Sequence, residues 1–192
     1  NSFPKQNFFY DIISKKYGGV MDSRVLEFME SLKEKLGACL ESFVIYGSAV
    51  TGELYRKSDY NTLIVLSEIR ADTLDKISKP VRKWIRSGNP VPLIFTAGSL
   101  TSSEDAFPME FLDIKENSIT LWGRNFFRNM KVPLENLRVE TERELKSMVI
   151  NLTRRYVAAS GNSGEIKKIM SSTISPALSV FKSVLRLYKI KV

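Results

Sequence analysis

The chain contains no histidine and a single cysteine, Cys39. The missing histidine excludes Ser-His-Asp and Cys-His catalysis and any His-ligated metal. A lone cysteine excludes an intrachain disulfide, and a reducing, cytoplasmic setting is the simplest expectation. Long apolar runs are lacking too. None approaches the roughly 20 residues that a bilayer span needs, and no signal peptide opens the sequence. Chemistry is left to carboxylates, hydroxyls, lysines or a bound ion.

The remaining composition is that of an ordinary globular chain. Of its 192 residues, 43% are hydrophobic and 26% charged, enough for one substantial core or two small ones. The net charge is +8. A basic surplus suits anionic partners such as nucleotides, nucleic acid or an acidic protein. A lysine-rich solvated surface is the plainer account of the same charge. The chain begins at Asn1 rather than Met and stops inside a helical pattern, which suggests a piece of a longer protein.

Residues 7–16 pattern as a short amphipathic helix ending at Gly18-Gly19. Residues 21–37 pattern as a stronger one, with apolar side chains at Val25, Leu26, Phe28, Met29, Leu32 and Leu36 and a stop at Gly37. Phe43–Tyr46 and Asp59–Leu66 are expected strands. Residues 70–87 are expected to be helical, with Pro80 disturbing the middle. A third strand is expected over 91–97. Residues 100–116 read as a helical turn, a break at Pro108, then a short helix or strand. Residues 118–123 read as a further strand. This alternation predicts an α/β layer.

From about Leu134 the strand signal ceases. Leu145, Met148, Val149, Leu152 and Tyr156 share one helical face. After a turn at 160–164, Ile166, Ile169, Met170, Ile174, Ala177, Phe181, Val184, Leu185 and Tyr188 form a second stripe. The two are expected to pack as an antiparallel hairpin. Ser175-Pro176 suits an N-cap with proline at the first helical position, so a kink or restart is expected there. The division expected is an α/β domain over 1–132 and a helical domain over 133–192.

The segment "VIYGSAVTGELYRKSDYNTLIVL", residues 44–66, carries the functional signal. Glycine after a strand lets a ligand approach the backbone closely. A helix start after it would offer free N–H groups and the positive end of a dipole to a phosphate, with the Ser48 hydroxyl as a further donor. Asp59 follows, then Asn61 two residues on. Side chains at i and i+2 of a strand share a face. Paired carboxylates so placed hold Mg²⁺ beside a nucleoside triphosphate. Here the pair is Asp and Asn.

This segment resembles the signature of the nucleotidyltransferase superfamily, the polymerase-beta-like fold. Gly47, Ser48, Gly52, Glu53, Ser58 and Asp59 match its pattern over about twenty residues. The layout to about residue 130 fits more loosely, and the later helices are similar to the helical domain of antibiotic-modifying members. "DAFPMEFLDIKE" and "LRVETERELK" are similar to a group of predicted prokaryotic nucleotidyltransferases. The resemblance implies a mixed sheet with flanking helices. It implies that Gly47, Ser48 and Ser58 bind the nucleotide, and that Asp59 and Asn61 hold Mg²⁺ and take part in catalysis. The reaction implied is transfer of a nucleoside monophosphate from Mg-NTP to an acceptor, with release of pyrophosphate.

Two of the three carboxylates implied are missing. Asn61 stands at the second metal position. The third acid belongs on the next central strand, expected at 91–97, where Ile94 or a neighbour aligns and no acid occurs. Either the acids come from elsewhere, or the chain is a degenerate relative that binds nucleotide, nucleic acid or protein without turnover. Asp105, Glu110 and Asp113 are available beyond the third strand. Glu140, Glu142 and Glu144 open the long helix, where Arg138, Arg143 and Lys146 at salt-bridge spacing give them a purely structural account. Arg154, Arg155, Lys182, Arg186 and Lys189 would serve a phosphate cleft or a solvated face. Trp84, Trp122, Phe126 and Phe127 read as core.

Overall fold

The computed structural model describes residues 22–47, 50 and 59–190. The expected helix at 7–16 lies outside these residues, as do Ser48, Gly52, Glu53 and Ser58. The described elements, in chain order, are α1 (Ser23–Leu36), a 3₁₀ turn (Gly37–Cys39), β1 (Leu40–Tyr46), β2 (Asn61–Leu66), α2 (Ala71–Arg86), β3 (Leu93–Thr96), α3 (Ala97–Ser102), α4 (Pro108–Glu116), β4 (Ser118–Gly123), α5 (Leu134–Ala158) and α6 (Ser163–Leu187). The class is mixed α/β, as the alternation of patterns indicates. Among the described residues no helix is long and apolar enough to cross a membrane.

The chain divides into two compact units. One holds the residues up to Thr101 together with Asp113–Asn129; the other holds Ser102–Leu112 and the residues from Met130 onward.

The first unit is built on a four-stranded sheet of order β3-β2-β1-β4. β1 runs antiparallel to both β2 and β4, and β2 runs parallel to β3 through the α2 crossover. Five of the six residues of β2 are buried, as an inner strand covered on both faces requires. Phe43, Ile45, Ile64 and Leu66 pack with the α1 stripe of Val25, Phe28, Met29 and Leu32. Val44, Leu63 and Val65, on the opposite face, are fully buried as well. The α1 stripe forms because its apolar positions recur at helical spacing, Asp22 caps the first turn through the Arg24 N–H at 2.8 Å, and Gly37 at φ +53° ends it.

Several expectations need correction. Pro80 does not break α2, and α6 runs through Pro176 without restarting. Each proline removes one N–H from its helix, but the bonds on either side persist and the Pro80 ring is buried. The expected strand at 59–66 begins only at Asn61, because Tyr60 gives its N–H to Asn89 Oδ1 at 3.0 Å rather than to a strand. The third strand is shorter than 91–97, with prolines at 90 and 92 preceding it. Of the helix and strand left open after Pro108, the helix forms, over Pro108–Glu116. Trp84 is core, stacked on Phe28 with centroids 4.7 Å apart. Trp122 is not: it lies exposed on edge strand β4 with the Lys33 ammonium 4.0 Å above its ring. Phe127 is buried and Phe126 lies under the Arg124 guanidinium.

In the second unit α5 and α6 pack on each other, joined by a tight turn in which Ser160 and Gly161 have positive φ. Asn162 caps α6 by accepting from the Gly164 and Glu165 N–H groups. Met109, Leu137 and Val180 form the core of this unit, with Leu112, Met148 and Leu187 against it. The apolar stripes are only partly used. Met148, Ile169 and Val180 turn inward, whereas Leu145, Val149, Leu152, Tyr156, Ile174, Phe181 and Tyr188 are exposed.

Candidate functional site

The strand directions bring Gly47 and Asn61 to one end of the sheet. β1 ends at Tyr46, which pairs with Asn61 at the start of β2 on one side and with Ser118 at the start of β4 on the other. Gly47 follows at once with φ +83°, a conformation that a side chain strains. Its carbonyl accepts the Val50 N–H at 2.9 Å, closing a turn.

Asn61 closes the turn from the β2 side. Its amide nitrogen lies 3.0 Å from the point where a Cβ on Gly47 would stand. The glycine is therefore needed twice, for its backbone angle and for the room the Asn61 amide occupies. Asp59 is exposed and stands before the strand. Its segment is held from beneath. Asn89 is buried; its Oδ1 takes the Tyr60 N–H, and its Nδ2 donates to Ser87 Oγ at 3.0 Å and to the Trp84 carbonyl at 3.5 Å. The Trp84 indole donates to the Pro90 carbonyl at 3.1 Å. Burial pushes the Tyr60 phenol above its ordinary range, with Asp22 adding to the rise and Arg24 opposing it.

The β4 side contributes two residues. The Gly47 N–H donates to the Asn117 carbonyl at 3.0 Å. Asn117 in turn donates from its side chain to Asp113 Oδ1 at 3.1 Å. The Gly47 N–H is thus engaged by the fold.

The third strand carries no acid. β3 is an edge strand rather than a central one. Its Ile94 pairs with Ile64 and packs against the main core, where a carboxylate would be desolvated without a partner. Asp105 is exposed. Among the described residues no group of three or more acids and cysteines is placed to hold a metal ion.

The glutamates of α5 divide. Glu142 has the structural role expected, pairing with Arg138 at 3.0 Å and Lys146 at 3.9 Å. Glu140 does not. Its carboxylate accepts the Met109 N–H at 2.7 Å, capping α4 within the second unit. Burial pushes this carboxyl up to about 7; the Met109 N–H opposes the rise, and Glu110 and Glu144 add to it. Sequence reasoning missed Asn89 and Asn117 as determinants of local structure, and gave Glu140 a salt bridge where it takes the Met109 N–H. Asn89 lies in the turn-forming run "SGNP", and Asn117 at a helix-strand junction, so only a weak turn signal was there to read.

No family model matches the chain, and no curated protein matches it. Among solved structures it is similar to spectinomycin adenyltransferase AAD(9) from Enterococcus faecialis with ATP and spectinomycin, at 11% identity and TM-score 0.48, covering 88% of this chain and 100% of that one. It is similar to a toxin–antitoxin with AMP-PNP, at 12% identity and TM-score 0.36, over 65% of this chain and 93% of that one. A third likeness is to the tri-AMPylated Shewanella oneidensis HEPN toxin in complex with MNT antitoxin, at 9% identity and TM-score 0.36, over 67% and 92% of the two chains. With every TM-score below 0.5, these likenesses add nothing to what the residues of this chain show about its activity.

Proposed function

We propose that this chain is a nucleotide-binding protein of nucleotidyltransferase type that binds the triphosphate without the full metal-carboxylate machinery of transfer. The observation that carries the reading is the Asn61 amide seated against the Gly47 turn, where the family pattern has an acid. An amide N–H donates directly to a phosphate oxygen, whereas a carboxylate needs a cation between. Ser48 would add a hydroxyl. Mg²⁺ would be held by Asp59 and the Asn61 carbonyl, completed by water and phosphate oxygens, and would neutralise the triphosphate. With one carboxylate the protein's own share of that site is small.

The test is calorimetry with ATP, GTP, CTP and UTP, each with and without Mg²⁺, on the native chain and on Ser48→Ala, Asp59→Ala and Asn61→Asp. Binding that survives chelation, falls in Ser48→Ala and becomes Mg²⁺-dependent in Asn61→Asp supports the reading. Failure of all four nucleotides to bind at millimolar concentration overturns it.

A further inference from the structure

We propose that the outer face of the α5–α6 hairpin is a self-association surface, on which a second copy of this chain completes a four-helix bundle. Each helix carries two apolar seams, one residue out of phase. The inner seam of α6 includes Ile169, Thr173, Ala177 and Val180, all buried or half-buried. The outer seam is Ile174, Leu178, Phe181, Leu185 and Tyr188, spaced 4, 3, 4 and 3 and exposed by 37–76%. On α5 the inner seam includes Leu137, Thr141 and Met148. The outer one is Leu145, Val149, Leu152 and Tyr156, spaced 4, 3 and 4 and exposed by 40–63%.

One residue turns a helix by about 100°. Because α5 and α6 are antiparallel, the same one-residue offset rotates both outer seams toward the same side of the hairpin. They form one continuous face. Alternating steps of 3 and 4 are the spacing of knobs-into-holes packing between helices. A flat lipid surface asks for no such register.

The area argues for a copy of comparable size. Nine large side chains exposed to this degree leave roughly 800–1,000 Å² of apolar surface, against the few hundred typical of a monomer and the roughly 800 Å² per partner of a stable dimer. The rim tolerates self-pairing. Along the outer edge of α6 the first half carries Lys168, paired with Glu165 at 2.7 Å, then Ser171, Ser175 and Ser179, and the second half Lys182, Arg186 and Lys189. A two-fold axis across the helices sets the serine-rich half of one copy against the cationic half of the other, so the three cations of the two copies stand apart. The α5 edge adds exposed Ile150 and Val157.

The test is sedimentation equilibrium of the full 192-residue chain from about 1 to 100 µM, on the native protein, Phe181→Glu and Leu178→Gln. The expected result is a species of twice the 21.9 kDa chain mass. Phe181→Glu should weaken association at least tenfold with the far-UV circular dichroism unchanged. Leu178→Gln keeps charge neutral and should weaken it less. A native chain that stays monomeric throughout overturns the proposal, as does a dimer that both variants leave intact. So does a monomer that co-sediments with anionic phospholipid vesicles, which would assign the face to a membrane.

Discussion

Replacing Glu140 by Gln should stabilise the second unit at alkaline pH and leave it unchanged in acid. Glu140 caps α4 through the Met109 N–H and is crowded by Glu110 and Glu144. Its carboxyl is raised from the ordinary 4.5 to about 7, so the fold disfavours its ionisation. The native protein therefore carries no penalty below about pH 4.5, a growing one as pH rises toward 7, and the full one above. A shift of that size corresponds to about 3 kcal/mol for a group wholly out of water. Solvent reaches this half-buried carboxyl, which reduces the figure to roughly 1–2 kcal/mol. Glutamine keeps an oxygen to accept from Met109 and gains N–H groups that can donate to Glu110. Urea unfolding followed at 222 nm at pH 5 and pH 8 reads the difference. The variant should gain roughly 1–2 kcal/mol at pH 8 and only about a quarter of that at pH 5. An equal change at both pH values, or a loss at pH 8, would refute the assignment of the raised pKa to the desolvation of Glu140.

Other outcomes follow from single contacts. Gly123 has φ +74°, and a Cβ there would strike the Glu41 carbonyl; Gly123→Ala should cost about 2 kcal/mol or more by thermal unfolding, because backbone rather than a flexible side chain has to move. Thr62 and Thr120 hydroxyls are buried with no hydrogen-bond partner among the described residues, so Thr62→Val and Thr120→Val should each raise stability by about 1 kcal/mol in chemical denaturation. Asn89→Ala strands the Tyr60 N–H and should cost about 1–3 kcal/mol while weakening nucleotide binding, as calorimetry would show if the segment it holds carries Asp59. Asn61→Asp should raise the Mg²⁺ dependence of nucleotide affinity by at least tenfold, since it restores a charged ligand.

The elements were legible where one physical signal dominated. The α1 stripe and the apolar block of β2 follow from the spacing of large side chains, which local geometry converts directly into a buried face; for the two long helices that spacing marks the helices, but most of the stripe stays exposed. The prolines misled because local propensity predicts a break, whereas the rest of each helix supplies enough bonds and packing to run through. The position of β3 was illegible for another reason. A strand's place in a sheet depends on which partners it meets across the chain, and neither its composition nor its neighbours in sequence record that.

The sequence by itself determined what chemistry is available. It has no histidine, one cysteine, an amide at position 61 and no acid on the third strand, and no folding can add a missing functional group. Tertiary structure alone decided where those groups stand. Antiparallel pairing brought Gly47 against Asn61 and Asn117, and gave the Gly47 N–H to a carbonyl instead of leaving it free. Helix packing turned Glu140, one of three similar glutamates, into a half-buried acid bound to the Met109 N–H while Glu142 remained a surface ion pair. Spacing along a chain sets which side chains share a face; desolvation and hydrogen bonding depend on what that face meets, and only the folded chain supplies it.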